Sequence, residues 1–554
     1  MALFTLMKKI DMTKNLIASL TIFYILFAYT GAAYSATPVV VPPQLNPGAI
    51  DTQKQQLEKY NAEQLRLEYD DKSVIIAPVM KESEPAGSDS GLRFVLKEVI
   101  FSPSAFLNKA ELDAIAQPYI NRKIGLMDIT NIIGKVNELY KARGIVTGLA
   151  VLAPQKIVSG EVHIDLIEGK LGKAEVSSNY TNKAYLLTHL TLKNGDIVNI
   201  PQVERDLVWF NRTHDIQLNA SIKPGNEPGL TDFEIQAVEP KRFVMKVFGD
   251  NLSSPSIGRN EMGIDARLNG LFGHGDFLNI LVSTSKGATN SYGGFGIPFN
   301  TSGGQMTASY STNNIAVING PYAAIDITGV SHRGAISISQ PFYVDRGWML
   351  SSAFTYAKSN STNFISGVLL SKFDIDTYGV SMSVDRQGDG YQWSIQQMLE
   401  NGQSTDQLMN KNNYFIYSNT VSGVLSLSQN YYGVLRGGGQ YTSANSLPPS
   451  ALFQIGGAAT VRGYDTGLVS GNNGYYANAE LHRNITQDLN AFTYIDHGEI
   501  FSENVPKTQI TGIGVGLSWT KDKLTTKLVY GRPLDIIRPN QSNQRIDLRA
   551  EITF

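Results

Sequence analysis

The last ten residues, 545–554, alternate without a break. Ile546, Leu548, Ala550, Ile552 and Phe554 fall on one side; Arg545, Asp547, Arg549, Glu551 and Thr553 fall on the other. A strand turns successive side chains to opposite faces, so this segment presents one apolar wall and one charged wall. A barrel that faces lipid outside and water inside asks for that pattern, and it closes on itself because hydrocarbon tolerates no open strand edge. The same alternation recurs upstream. In 262–269, Met262, Ile264, Ala266 and Leu268 oppose Asp265, Arg267 and Asn269; in 276–285, Leu278, Ile280 and Val282 point outward. In 511–520, Ile513, Val515, Leu517 and Trp519 oppose Gly512, Gly514 and Gly516. About sixteen such segments of roughly ten residues fit between 241 and 554, an even number that suits a closed antiparallel transmembrane β-barrel. A soluble sandwich or propeller is the rival, but no blade-length repeat is visible.

Charged residues make up 17% of the chain and the mean hydropathy is −0.13, values that look soluble. Alternation explains them, since a polar face averages out the apolar one. A net charge of −2 gives no reason to expect a nucleic-acid partner. The absence of cysteine excludes a disulfide framework and a thiolate metal site. At the N-terminus Lys8, Lys9 and Lys14 precede an apolar run over 16–28, and Ala33-Tyr34-Ser35 offers a cleavage site before Ala36. This reads as a secretory signal peptide over 1–35. The run is short for a transmembrane helix, which needs ~20 apolar residues.

Between signal and barrel the pattern changes twice. Residues 36–69 form a Pro- and Val-rich leader followed by a helix over 51–69, whose apolar positions are few: Leu57, Tyr60, Leu65 and Leu67. A helix polar nearly all round cannot hold an ordinary core. A wet channel and plain solvent suit it equally. Residues 70–91, with Pro78, Pro85, Gly87 and several Ser and Asp, have linker composition. Residues 92–168 then read as strand 93–101, helix 108–119, helix 128–143 and strands 147–152 and 160–167. The second helix carries Ile129, Ile132, Ile133, Val136, Leu139 and Tyr140 on one face, with Gly144 as its stop. Residues 169–240 repeat the order: strand 171–176, helices 182–192 and 200–212, strands 217–223 and 231–239.

Within a long inter-strand loop over 445–474 lies Val461-Arg462-Gly463-Tyr464-Asp465, just before the final five strands. Downstream, Tyr494-Ile495-Asp496-His497-Gly498 sits in an alternating segment. Period two puts Phe492, Tyr494 and Asp496 on one face, toward the lumen, and turns His497 the other way. No catalytic set accompanies them. The seven histidines are scattered without metal spacing, no serine stands in a nucleophile elbow, and Gly512-Ile513-Gly514-Val515-Gly516 lies inside a strand rather than opening a helix. No cofactor is implied, and the chain reads as a non-enzyme.

Signal peptide, polar helix, linker, two β-α-α-β-β modules and a barrel together resemble the two-partner secretion transporters, the TpsB proteins of hemolysin-activator type. Their modules are called POTRA domains. The likeness spans essentially the whole mature chain and extends to local pieces. Tyr140-Lys141-Ala142-Arg143-Gly144-Ile145-Val146-Thr147 and Leu152-Ala153-Pro154-Gln155 resemble the first module; Lys223-Pro224-Gly225 with Gly229 resembles the second; Asp250-Asn251 opens the barrel. The resemblance implies an outer-membrane transporter that takes an unfolded, large secreted exoprotein (TpsA type) from the periplasm to the surface. It implies that 51–69 plugs the resting pore and that the loop folds back into the barrel. There Arg462 would meet Asp496 on the inner wall, within the Tyr494-x-Asp496-x-Gly498 pattern. An arginine in a partly dried lumen needs a carboxylate, and its planar fork suits one. Two roles for the pair stay open, a conformational latch or direct contact with the passing chain. Further partners are outer-membrane lipid and the barrel assembly machinery, through the C-terminal strand ending on Phe554. An insertase or assembly factor is the alternative function, and a passive porin-like channel is a weaker rival that leaves the tandem modules without a task.

Overall fold

The computed structural model describes residues 42, 45–67, 93–145, 147–152, 154–227, 229–502, 505–539 and 541–554. The expected signal peptide (1–35) and linker (70–91) lie outside the described residues.

The first helix, α1, spans Pro47–Leu67 and so begins four residues before the start expected at 51. Its start signal is local. Proline at the first helical position costs no hydrogen bond, and Asn46 Oδ1 accepts from the backbone N–H of Gly48 (2.9 Å) and Ala49 (3.2 Å) as an N-cap.

In the first module, helices α2 (Lys109–Ala116) and α3 (Leu126–Ala142) pack on a sheet ordered Glu98–Phe101, Glu161–Glu168, Gly148–Val151. Asn108 and Glu111 cap α2 reciprocally, at 2.9 and 3.1 Å. The α3 stripe Ile129, Ile132, Val136 and Tyr140 is buried as its period requires, and Gly144 ends the helix at φ +72°. The second module repeats the plan with α4 (Lys183–Leu187), α5 (Ile200–Thr213) and a sheet ordered Lys170–Ser177, Leu230–Val238, Gln217–Pro224. Helix α4 is far shorter than the expected 182–192. The Tyr185 carbonyl, which the next helical N–H would use, accepts instead from the Thr188 hydroxyl at 2.6 Å and lies 3.0 Å from His189 Nδ1. Side chains that compete for a helical carbonyl stop propagation.

Sixteen antiparallel strands, from Phe243–Asp250 to Arg545–Thr553, close into one barrel. The first and last strands pair from Arg549 opposite Asp250 to Thr553 opposite Lys246. Beyond that register the Asn251 side chain acts as a short extra rung. Its Nδ2 donates to the Ile546 carbonyl (2.9 Å) and its Oδ1 accepts from Leu548 N–H (2.8 Å). Met262, Ile264, Ile280, Val282, Val515, Leu517, Ile546 and Leu548 are exposed on the outer wall, whereas Arg545 and Asp547 are buried inside. The strands therefore turn apolar side chains to lipid and charges to the lumen, as the alternation requires.

The second module sits against the turns at one end of the barrel, which marks the periplasmic end. Asn182 N–H donates to the Gly273 carbonyl (2.9 Å), Trp209 Nε1 to the Ser302 carbonyl (3.1 Å) and Arg212 Nη1 to the Arg346 carbonyl (3.0 Å).

Candidate functional site: a buried ion cluster inside the barrel

The longest excursion between barrel strands runs over 442–472, from the strand Tyr431–Tyr441 to the strand Asn473–Asn484, close to the expected 445–474. It leaves at the end away from the modules and folds inward. A two-stranded ribbon, Phe453–Ile455 with Val469–Gly471, stiffens its neck. Phe453, Ile455, Val461 and Tyr464 pack with Ile500 and Ile510 of the wall into a small apolar core. The hydrophobic effect thus docks the loop before any charge is considered. At the tip, Gly463 holds φ +91°, and a Cβ there would stand 3.1 Å from the Arg532 carbonyl carbon. Only glycine takes that conformation at that approach without strain. Gly498 serves the same closeness from the wall, since a Cβ on it would meet Ile455 and Val461 at 3.1 Å.

Arg462 occupies the centre and is 2% exposed; Asp496 is 0% exposed. Arg462 Nε donates to Asp496 Oδ2 at 2.7 Å, Nη2 to Oδ1 at 2.7 Å, and the Arg462 backbone N–H to Oδ2 at 2.9 Å. This fork-to-fork pairing is the strong geometry for an arginine and a carboxylate. The guanidinium lies 3.7 Å from the Tyr494 ring centre, so an aromatic face covers what the carboxylate does not. Tyr464 Oη donates to the Thr511 carbonyl at 2.7 Å. Asp465 faces three arginines, Arg259 at 2.7 Å, Arg545 at 2.9 Å and Arg538. The structure therefore brings Val461, Arg462, Gly463, Tyr464 and Asp465 onto the wall that carries Tyr494, Asp496 and Gly498. His497 faces away, 3.0 Å from Thr511 Oγ1.

Sequence reasoning missed half of the cluster. Glu480 Oε1 stands 2.8 Å from Arg462 Nη1 and also pairs with Arg436, while its Oε2 lies 2.7 Å from His482 Nε2. Asn478, Glu480 and His482 alternate with Ala477, Ala479 and Leu481, the inward signal already used for Asp496. The glycine stripe Gly512, Gly514 and Gly516 is the smooth floor of the site. A Cβ on these residues would run into the Arg462 carbonyl, the Tyr494 ring and the Phe492 ring respectively.

Helix α1 lies inside the same lumen and touches the wall on all sides. The Pro47 carbonyl accepts from Asn313 Nδ2 (3.1 Å) and Ser331 Oγ (3.2 Å), and Asp51 from Ser311 Oγ (3.2 Å). Lys54 pairs with Glu261, Lys59 Nζ reaches Gln396 (3.3 Å), and Lys527 Nζ donates to Tyr60 Oη (3.0 Å). Gln53 bonds Gln454 of the loop. Tyr60 also stacks under Arg436, 4.5 Å from its guanidinium carbon, so helix and loop meet through Arg436 and Glu480.

A lipid-facing barrel with two periplasmic α/β modules, an inward loop and a helix in its lumen defines an outer-membrane polypeptide transporter. Residues 229–519 match the haemolysin secretion/activation protein family ShlB/FhaC/HecB, and residues 94–169 match the ShlB-type POTRA domain. The chain belongs to that family of two-partner secretion transporters. The outer membrane transporter CdiB of Dickeya dadantii is 24% identical over 93% of this chain and 95% of its own length. The heme/hemopexin transporter protein HuxB of Haemophilus influenzae is 22% identical over 80% and 84%. The solved structure of CdiB from Escherichia coli superposes with a TM-score of 0.67 at 19% identity, covering 94% of this chain and 100% of that one. The protein is thus an outer-membrane transporter that translocates an exoprotein, with its POTRA modules on the periplasmic side.

Proposed function

We propose that the two modules capture one large, unfolded exoprotein partner and that the partner threads the lumen once helix α1 has left it. The Arg462–Asp496 pair serves as a latch on the loop rather than as a contact for the passing chain. The observation that carries this reading is the position of α1. Apart from the Lys54–Glu261 ion pair, it fills the lumen through neutral and singly charged polar contacts, which water or a passing polypeptide backbone replaces at small cost. Capture in the modules uses strand addition, with main-chain bonds supplying affinity and alternate side-chain pockets supplying choice. The sheet edges Gly148–Val151 and Gln217–Pro224 are available for it. Such an interaction fits a partner without tertiary structure, and folding of the partner outside makes return unfavourable.

The test is secretion in a reconstituted host. The protein is co-expressed with the exoprotein encoded beside it, as wild type, Arg462→Ala and a deletion of 92–168. The partner reaches the medium or cell surface with wild type and stays in the periplasm with both variants, while all three barrels insert. Export without this protein, or with the first module deleted, overturns the reading.

A further inference from the structure

The outer wall carries a groove that faces away from the lumen. Across three adjacent strands, Leu481 stands opposite Thr493 and Arg483 opposite Ala491, while Thr493 stands opposite Val515 and Ala491 opposite Leu517. Thr493 and Ala491 are short, and their neighbours are long. The strand Leu489–Ser502 therefore forms a valley between two ridges, open sideways to the bilayer. The groove has a volume of about 460 Å³, within the few hundred cubic ångströms that hold a small ligand.

Its position and its one charge say what fits. The strand Asn473–Asn484 runs down to the periplasmic turn 485–488, so Arg483 sits two residues from the periplasmic rim. Arg483 is exposed, and its guanidinium carbon lies 5.5 Å from the Tyr431 ring centre. No ion pair to it exists among the described residues. Trp519, exposed on the same wall, marks the headgroup level together with Tyr431. A cation at that depth, above an apolar slot, complements an anionic phosphate carried on an acyl chain.

We propose that this groove binds one glycerophospholipid of the periplasmic leaflet, with an acyl chain along Ala491 and Thr493 and the phosphate on Arg483. The lipid then braces the strands Asn473–Asn484 and Leu489–Ser502, which carry Glu480 and Asp496 on their opposite faces. An occupied groove would stiffen the wall that holds the loop.

Native mass spectrometry of the detergent-purified full chain, titrated with phosphatidylglycerol or with phosphatidylethanolamine, tests this. Wild type retains one tightly held lipid of either kind, since both carry the phosphate. Thr493→Trp fills the valley and weakens retention about tenfold or more, a shift of about 1.4 kcal/mol; Arg483→Gln weakens it less. Ile280→Trp, on a distant part of the outer wall, leaves it unchanged. Heat-modifiable gel migration confirms that each barrel is folded. Equal retention in all four proteins, or equal loss in Ile280→Trp and Thr493→Trp, means non-specific annular lipid and overturns the proposal.

Discussion

The loop tip and helix α1 both lie inside the barrel, yet they are held by opposite means. The loop tip is dry and charge-paired. Arg462, Asp496 and Glu480 are 2%, 0% and 5% exposed, and the apolar group around Val461 and Tyr464 seals them. Helix α1 makes scattered polar contacts with many strands, and among its described side chains and lead-in the buried apolar ones are chiefly Leu45, Ala49, Ile50 and Leu57. A desolvated ion pair is costly to break singly, because the abandoned partner stays buried. Apart from Lys54–Glu261, the bonds of α1 to the wall join neutral groups or one charge to a neutral group, and these exchange for water with a smaller loss. On the proposed reading these two segments have different lifetimes, the loop staying and the helix leaving.

The sharpest way to break this contrast is Arg462→Ala. It strands Asp496 without its cation, leaves Glu480 with Arg436 alone of its two arginines, and costs the docked loop about 3–5 kcal/mol. Hydrogen exchange over 453–471 rises steeply and secretion is lost. Glu480→Gln is milder, about 2 kcal/mol. It keeps the shape and removes the charge that Arg436 and Arg462 share, so exchange rises in the loop and around Tyr60 of α1 together. A rise in the loop alone would break the link between them.

The joint between the second module and the barrel adds a third kind of contact, tuned by pH. His214 stacks on Phe210 with ring centres 4.1 Å apart, and its Nε2 lies 3.1 Å from Tyr185 Oη. Burial, then the neighbouring His189 at 5.1 Å, pushes its imidazole down to about 4. Tyr185 in turn lies against His274 of the barrel turn, beside Asp276. A depressed histidine binds fewer protons folded than unfolded. The stability it contributes is complete above its ordinary pKa of about 6.5 and is lost as pH falls from there toward about 4. Exchange protection of α5, corrected for intrinsic rates, should fall across that window, and His214→Phe should flatten the dependence. The smallest effect belongs to Gln53→Ala, about 1 kcal/mol or less. It raises loop exchange only locally, at the Phe453–Ile455 ribbon where Gln454 loses its partner, and raises the frequency of brief openings in planar-bilayer recordings.

The barrel was legible because its signal is local: two-residue alternation marks each strand wherever it pairs. Asp496 was legible for the same reason, once a motif pointed to it. Glu480 carried the identical signal between Ala479 and Leu481 but stands beside Arg462 only after the wall closes in register, with Asn478 opposite Asp496. Arg436 and Tyr60 join through the same closure, and nothing in their own neighbourhoods announces it. The start of α1 is written in Asn46-Pro47, a cap and first-turn signal that lies ahead of the helix expected from 51. The overlong expectation for α4 had a subtler cause, because its apolar spacing continues past Leu187 while Thr188 and His189 consume the carbonyl that the helix needs.

The central claim is that α1 leaves while the wall stays. A Cβ built on Gly48 lies 3.3 Å from the Ser361 Cβ on the barrel wall, near the separation a disulfide requires. The chain has no cysteine of its own, so Gly48→Cys with Ser361→Cys introduces a single staple. Secretion of the partner is measured with the staple oxidised and again after reduction. The account expects export to stop when the staple is closed and to return when it is opened; undiminished export through the oxidised protein would contradict it.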